Sequence, residues 1–213
     1  DSQPISGGED NGQRTSFDGY SFNIHETKWV LSRHECIDLT WVRKRLSPSL
    51  ADSALRALAY YGIRKSAATV KNYAYQLDSF SKYAIREGRA LDQITSVDLI
   101  SYRSTFSRED EWNMGTLRSF LNGWSALKFP GIELGAIQKV NEFTLRSNRK
   151  GEAVRTRDPR RGALTDIEFA AMDSAVMLAF EKEEISLSEM AIIDLFMAIG
   201  QRAKQLTDLK VKD

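Results

Sequence analysis

"SAATVKNYAYQLDSFSKYAIREGR", residues 66–89, contains the clearest helical pattern in the chain. Its apolar residues recur every three or four positions, so they share one face of a helix and predict a buried stripe. Ser66 stands where this helix begins and can cap its first turn. The stripe comprises Val70, Tyr73, Leu77, Phe80, Tyr83 and Ala84, and the polar Lys71, Asn72 and Lys82 lie off it. The pattern therefore predicts an amphipathic helix that packs on other helices.

Three neighbouring stretches predict the partners of this helix. Residues 49–62 have helical spacing and end at Gly62, where we expect that helix to stop. Residues 94–106 begin with Thr95 and Asp98, which are spaced as a capping box. Residues 113–129 form a fourth helical pattern, with Leu117, Phe120, Leu121, Trp124 and Leu127 as its apolar set. Arg118, Asn122 and Ser125 share another stripe of that helix, which we expect to be exposed.

The N-terminal segment differs in character from the helical stretches. Residues 1–19 are polar and rich in Gly and Ser, and predict a disordered leader. Tyr20, Phe22 and Ile24 then alternate with polar residues, and Trp29 and Leu31 do the same. This period of two predicts a small hairpin.

The charges are segregated along the chain, although the net charge is only +1. Residues 146–161 contain seven basic and two acidic residues, and residues 64–89 contain six basic and two acidic residues. Positive potential in two places suits a polyanionic partner. A solvated linker beside a solvated helix face explains the same charges, so charge alone leaves both interpretations open.

A second helical region follows the basic stretch. Residues 134–162 are charged and poor in apolar residues toward their end, and we predict that they form a linker. Thr165 and Glu168 form a second predicted capping box. An apolar helix then runs to Gly200, just before Arg202.

Composition excludes several classes of protein. No apolar run reaches the roughly 18 to 20 residues that span a bilayer, and the N-terminus lacks a signal-peptide layout. The single cysteine, Cys36, cannot form an internal disulfide, which favours the cytoplasm. His25 and His34 have no partners at zinc-binding spacing. We therefore predict no metal, no cofactor and no membrane partner.

Two separate pieces of the sequence resemble the tyrosine recombinase, or phage integrase, family. The residues from 66 to 129 described above resemble its helical SAM-like core-binding domain, which grips DNA. The second piece is "LTDIEFAAM" (164–172) followed by "AIGQRAKQLTDLKVKD" (198–213). It is similar to the start of the family's catalytic domain and to its Gly-x-Arg-x-x-Glu-Leu-x-x-Leu motif. Gly200, Arg202, Leu206 and Leu209 match that motif, and Gln205 replaces its glutamate.

The resemblance implies a role for Arg202 as the first catalytic arginine. In the family this arginine holds the scissile phosphate, and a guanidinium suits the charge of that transition state. The family's other catalytic groups lie beyond this point, whereas the last tyrosine here is Tyr102 and both histidines precede Arg202. We therefore expect a parent enzyme that breaks and rejoins DNA strands through a phosphotyrosine. This 213-residue chain is expected to be inactive because it lacks that tyrosine.

The predicted fold is mainly α, in four parts. We expect an N-terminal extension (1–45), a four-helix SAM-like core-binding domain (46–133), a basic linker (134–162) and the first helices of a truncated α+β catalytic domain (163–213). The resemblance implies double-stranded DNA as partner, in the cytoplasm of a bacterium or within a phage system, associated with the nucleoid. It also implies a parent that is tetrameric on DNA, and we expect this chain to be monomeric.

The predicted DNA-binding residues come from both basic regions and from the fourth helix. They are Lys65, Thr69, Lys71, Asn72, Arg118, Ser119, Asn122, Arg149, Lys150 and Arg157. Three hypotheses stay open at this point: the front of a DNA strand-transfer enzyme, a stand-alone DNA-binding module without catalysis, and a helical protein-interaction domain whose basic stretches are incidental. Salt-sensitive binding to duplex DNA would separate the first two from the third.

Overall fold

The structure is a computed structural model that describes residues 11–145, 152–156, 158 and 162–200. Four short strands come first: β1 (Gln13–Thr15), β2 (Ser21–Asn23), β3 (Lys28–Ser32) and β4 (Glu35–Asp38). Helices α1 (Thr40–Arg45), α2 (Pro48–Arg64), α3 (Ala67–Arg86), α4 (Ser96–Arg103), α5 (Glu111–Ala126) and α6 (Leu134–Glu142) follow. The remaining described helices are α7 (Glu152–Arg155), α8 (Asp166–Glu181) and α9 (Leu187–Ile199). The chain divides into two compact units, residues 1–148 and 149–213, and the predicted mainly α class is confirmed.

One hydrophobic core joins the strands and helices of the first unit. Its largest fully buried side chains include Trp29, Phe80, Phe120 and Trp124, which come from β3, α3 and α5. The predicted stripe of α3 points into this core, with Val70, Leu77 and Phe80 completely buried. Tyr73 is only partly buried and packs against the core from its edge.

The N-terminal strands pair differently from the prediction. We predicted one hairpin between the segments around Phe22 and Trp29, but the structure contains two antiparallel hairpins, β1–β2 and β3–β4. Each predicted segment pairs with a strand that alternation did not reveal, because β1 and β4 carry few apolar residues. Phe22 and Trp29 instead meet by their side chains, with ring centroids 4.9 Å apart. Both hairpins thereby pack on the helical core.

Helix ends follow the predicted capping signals in part. The capping box of Thr95 and Asp98 is present at the start of α4, and the predicted stop at Gly200 is a left-handed residue that ends α9. Gly62 does not end α2, which continues to Arg64. A Cβ at Gly62 would lie 3.1 Å from the ring of Phe22, so this glycine leaves room for the N-terminal strands to approach.

The first nine residues of the predicted linker form a helix. Helix α6 spans Leu134–Glu142, and its Ala136 and Val140 are completely buried in the core of the first unit. Two apolar residues four positions apart are enough to anchor one face of a short helix. Residues 134–142 therefore pack as part of the helical unit, although the sequence assigned them to the linker.

The described part of the second unit contains α8 and α9, joined by a short turn. The predicted capping box of Thr165 and Glu168 starts α8, and a box of Ser186 and Glu189, which we did not predict, starts α9. Many apolar side chains of these helices are exposed, among them Ile167 (82%). The pair buries little apolar surface by itself.

Candidate nucleic-acid interface

A groove between α3 and α5 brings three predicted DNA-binding residues together. Thr69 and Asn72 lie on its α3 side, and Ser119 lies on its α5 side. The groove has a volume of about 330 Å³, and the rest of its lining is Tyr73, Trp112, Gly115 and Thr116. None of these lining residues is charged. We call it the uncharged groove.

A second hollow lies between the C-terminal ends of α2 and α5. It has a volume of about 480 Å³ and is lined by Tyr60, Tyr61, Arg64, Lys65, Gly123, Ala126 and Leu127. The guanidinium of Arg64 stacks on the ring of Tyr60, 3.9 Å from its centroid, which holds this cation in place. Lys65 is exposed, and no acidic residue belongs to the lining. We call this the cationic hollow.

The two depressions open along the same side of α5. Trp112, Thr116 and Ser119 line the uncharged groove, and Gly123 and Ala126 line the cationic hollow. These positions are three or four residues apart, so they form one stripe of the helix. Positive charge at one end and uncharged hydrogen-bonding groups at the other therefore belong to one surface.

The start of α3 lies between these depressions and carries no acidic residue in its first turn. The expected side-chain cap by Ser66 is absent; its hydroxyl lies 3.0 Å from that of Thr69 instead. The first turn of a helix presents partial positive charge, which adds to that of Lys65. Burial raises the pKa of the nearby Tyr61 and Tyr73 above the usual 10.0, a value at which a phenol is already neutral at physiological pH.

Arg118 and Asn122 lie on the stripe of α5 that we expected to be exposed, but the structure half-buries that stripe. The Arg118 guanidinium donates a hydrogen bond to the carbonyl oxygen of Phe143 at 3.0 Å. The side-chain amide of Asn122 exchanges hydrogen bonds of 2.8 and 3.0 Å with that of Asn141. The stripe is half-buried because α6 and the residue after it pack there, which the linker assignment did not anticipate.

Lys71 lies apart from the uncharged groove. Its ammonium group forms an ion pair with Glu35 at 2.6 Å, and it lines a separate groove of about 460 Å³ beside α1. That groove mixes cations with Asp38 and Asp78. The Lys71 charge is therefore partly neutralised within the protein.

The remaining predicted site residues lie outside the described part of the chain. These are Arg149, Lys150, Arg157 and the predicted catalytic Arg202. Within the described residues, no helix combines the length and apolar character needed to cross a membrane. The same residues contain no group of three or more His, Cys, Asp or Glu side chains that could hold a metal ion.

Sequence reasoning did not single out four residues of this surface: Tyr60, Arg64, Trp112 and Thr116. A signal for the last two exists, because Trp112, Thr116 and Ser119 recur at helical spacing on the stripe next to Arg118. Choosing between the two stripes requires knowing which one α6 covers.

The fold of the first unit defines a class, a small helical domain of the SAM-like type. Residues 58–128 match the family model described as "Phage integrase, N-terminal SAM-like domain". This segment, from within α2 to just beyond α5, therefore matches the N-terminal domain of phage integrases, as its resemblance implied. Comparison with curated proteins and with solved structures found no match.

Proposed function

We propose that the first unit is the DNA-gripping domain of a site-specific tyrosine recombinase, and that the α3–α5 surface binds duplex DNA. The observation that carries this proposal is the pairing of the cationic hollow with the uncharged groove along one side of α5. The membership of this segment in an integrase domain family supports duplex DNA as the polyanion.

The two depressions suit the two kinds of contact that DNA offers. Phosphates take cations, which the cationic hollow supplies through Arg64 and Lys65. Base edges take uncharged donors and acceptors such as the Asn72 amide. The Ser119 hydroxyl donates to the carbonyl oxygen of Gly115 at 3.0 Å and can still accept a hydrogen bond. Arg118 and Asn122 already hydrogen-bond within the unit, so the proposed interface does not depend on them.

The second unit would contribute chemistry in the whole recombinase. We propose that residues 163–213 begin its catalytic domain, where Arg202 would hold the scissile phosphate while a tyrosine supplied beyond this sequence attacks it. The attack joins the tyrosine oxygen to phosphorus and releases a 5′ hydroxyl, which later reverses the step on a new partner strand. The exposed apolar surface of α8 and α9 fits helices that belong to a larger domain.

The same proposal places the protein on chromosomal or phage DNA in a bacterial cytoplasm. For the whole recombinase we propose a tetramer on DNA, as the resemblance to the family implies. For the present chain alone we propose a monomer that binds one duplex.

Binding to a fluorescein-labelled 30-base-pair duplex of mixed sequence, followed by anisotropy from 25 to 300 mM NaCl, tests the proposal. The logarithm of the affinity should fall linearly with the logarithm of salt, by about 0.9 for each phosphate neutralised. Lys65→Gln should reduce that slope by about 0.9. Lys28→Gln is the matched control, because Lys28 is an exposed lysine on β3 outside both depressions.

If Lys28→Gln reduces the salt slope and Lys65→Gln leaves it unchanged, the interface lies away from the α3–α5 surface. Absence of binding at 25 mM NaCl would refute DNA binding by this chain. An interaction module that recognises other proteins would then be the stronger hypothesis.

A further inference from the structure

The uncharged groove has the wrong chemistry for a phosphate. Its side chains carry hydroxyl, amide and aromatic groups, whereas the cations of this surface, Arg64 and Lys65, line the neighbouring hollow. A phosphate lodged in the groove would give up its water shell without gaining a countercharge. The groove suits a neutral surface that presents hydrogen-bonding groups next to an apolar one.

Two polar groups of the groove are open to such a ligand. Within residues 11–145, neither the Asn72 amide nor the Thr116 hydroxyl hydrogen-bonds to another group. The Asn72 side chain is exposed and offers one carbonyl oxygen and one NH₂ group. It can therefore form two hydrogen bonds at once with a ligand edge that presents a donor next to an acceptor.

An apolar surface lies opposite Asn72 in the same groove. The indole of Trp112 is 42% exposed, although it lies on α5 at the edge of a well-packed core. Thr116, which carries a methyl group, also lines the groove and lies one helical turn further along the same stripe. An exposed indole beside a methyl group gains free energy when a small apolar group covers it.

We infer that the uncharged groove reads an A·T base pair from the major groove. Adenine presents N7 as acceptor and N6 as donor, which is the pattern that an asparagine amide pairs with; thymine presents a C5 methyl group. Asn72 hydrogen-bonds to the adenine, and Trp112 with the Thr116 methyl covers the thymine methyl. This inference rests on the proposed DNA binding and names the base pair that the same surface selects.

Removal of the thymine methyl tests the inference directly. Two 24-base-pair alternating duplexes are compared, one of dA and dT and one in which dU replaces every dT. Each presents an A·T-type pair at every register, so the unknown target sequence does not matter. The wild-type chain should bind the dT duplex about fourfold more tightly, the equilibrium equivalent of burying one methyl-sized group.

Trp112→Ala should abolish this preference while salt-dependent binding persists. Thr116→Ser removes only a methyl group from the protein and should reduce the preference for the dT duplex. This variant still tests the inference if Trp112→Ala does not fold. Tyr75→Ala is the control, since Tyr75 is an exposed aromatic residue of α3 that lines the separate groove beside α1. It should keep the wild-type ratio.

The outcomes separate this inference from the proposed function. Equal affinity of the wild-type chain for the dT and dU duplexes overturns the base-pair assignment while DNA binding stands. A preference that survives both Trp112→Ala and Thr116→Ser also overturns it, because the methyl is then read elsewhere. Failure to bind either duplex at low salt removes the proposed function itself.

Discussion

Replacement of Gly123 by alanine tests the packing that shapes the cationic hollow. A Cβ at this position would overlap the hydroxyl oxygen of Tyr61 and come within 2.6 Å of its Cζ atom. The Tyr61 ring cannot swing aside freely, because it packs against Tyr73 and Phe120 with centroid distances of 5.0 and 6.1 Å. The variant therefore has to shift an aromatic cluster at the edge of the core.

A second glycine of α5 provides the matched control. A Cβ at Gly115 would meet nothing closer than Leu145, at 3.9 Å, which is ordinary contact. Both changes replace glycine by alanine within one helix, which by itself stabilises by up to about 1 kcal/mol. Overpacking costs about 1–3 kcal/mol. Because the propensity gain is common to both variants, Gly123→Ala should be less stable than Gly115→Ala by that overpacking cost.

Urea unfolding followed by tryptophan fluorescence measures this difference. All four tryptophans, at positions 29, 41, 112 and 124, lie in the first unit, so the signal reports the unfolding of that unit alone. The midpoint should rise for Gly115→Ala relative to wild type and fall for Gly123→Ala relative to Gly115→Ala. Equal stabilisation by both substitutions would show that Tyr61 relaxes without cost, and the packing argument would be wrong.

Three further predictions follow from the same unit. Arg118→Ala should lower the free energy of unfolding by about 1 kcal/mol, because it loses the hydrogen bond to the carbonyl oxygen of Phe143, just after α6. The salt slope of DNA binding should stay unchanged. A reduced slope would place Arg118 on the interface. Burial raises the pKa of Tyr102 to about 12 from its usual value of 10.0. Below pH 10.0 the contribution of the neutral phenol to the stability of the fold is therefore complete. This contribution is lost as the pH rises from 10.0 to about 12. Tyr102→Phe should therefore lose less stability than wild type between pH 10 and 12 in urea titrations, and identical pH profiles would contradict the assignment. Burial raises the pKa of Asp98, but hydrogen bonds from Thr95 and the guanidinium of Arg89 outweigh it and hold this pKa below its usual 3.8. The carboxylate therefore stabilises the fold above pH 3.8, and this contribution disappears as the pH falls below that value. In the same assay, Asp98→Asn should be less stable than wild type at pH 7. At pH 3 its stability should be closer to that of wild type.

Local patterns in the sequence were sufficient to predict helices α2 to α5 and the buried side of α3 and of α5. The stripe of α3, the apolar set of α5 and the capping box at Thr95 depend on contacts within a few residues, and the structure contains all three. The segregation of basic residues also belongs to the sequence alone. Thr69, Asn72 and Ser119, which we predicted as DNA-binding residues, line one groove in the structure, and their role in binding stays a prediction.

The tertiary structure decided which flank of each helix remains open. Hydrophobic periodicity shows the side of α5 that faces the core, but it does not show which of the two flanking stripes, that of Arg118 or that of Ser119, is covered. Only the docking of α6, through Ala136 and Val140, buries the first stripe and leaves the second beside α3. The sequence also left the pairing of the N-terminal strands undetermined. Contacts between residues far apart in the chain depend on the shapes of both partners, and the period of one segment carries no information about the other.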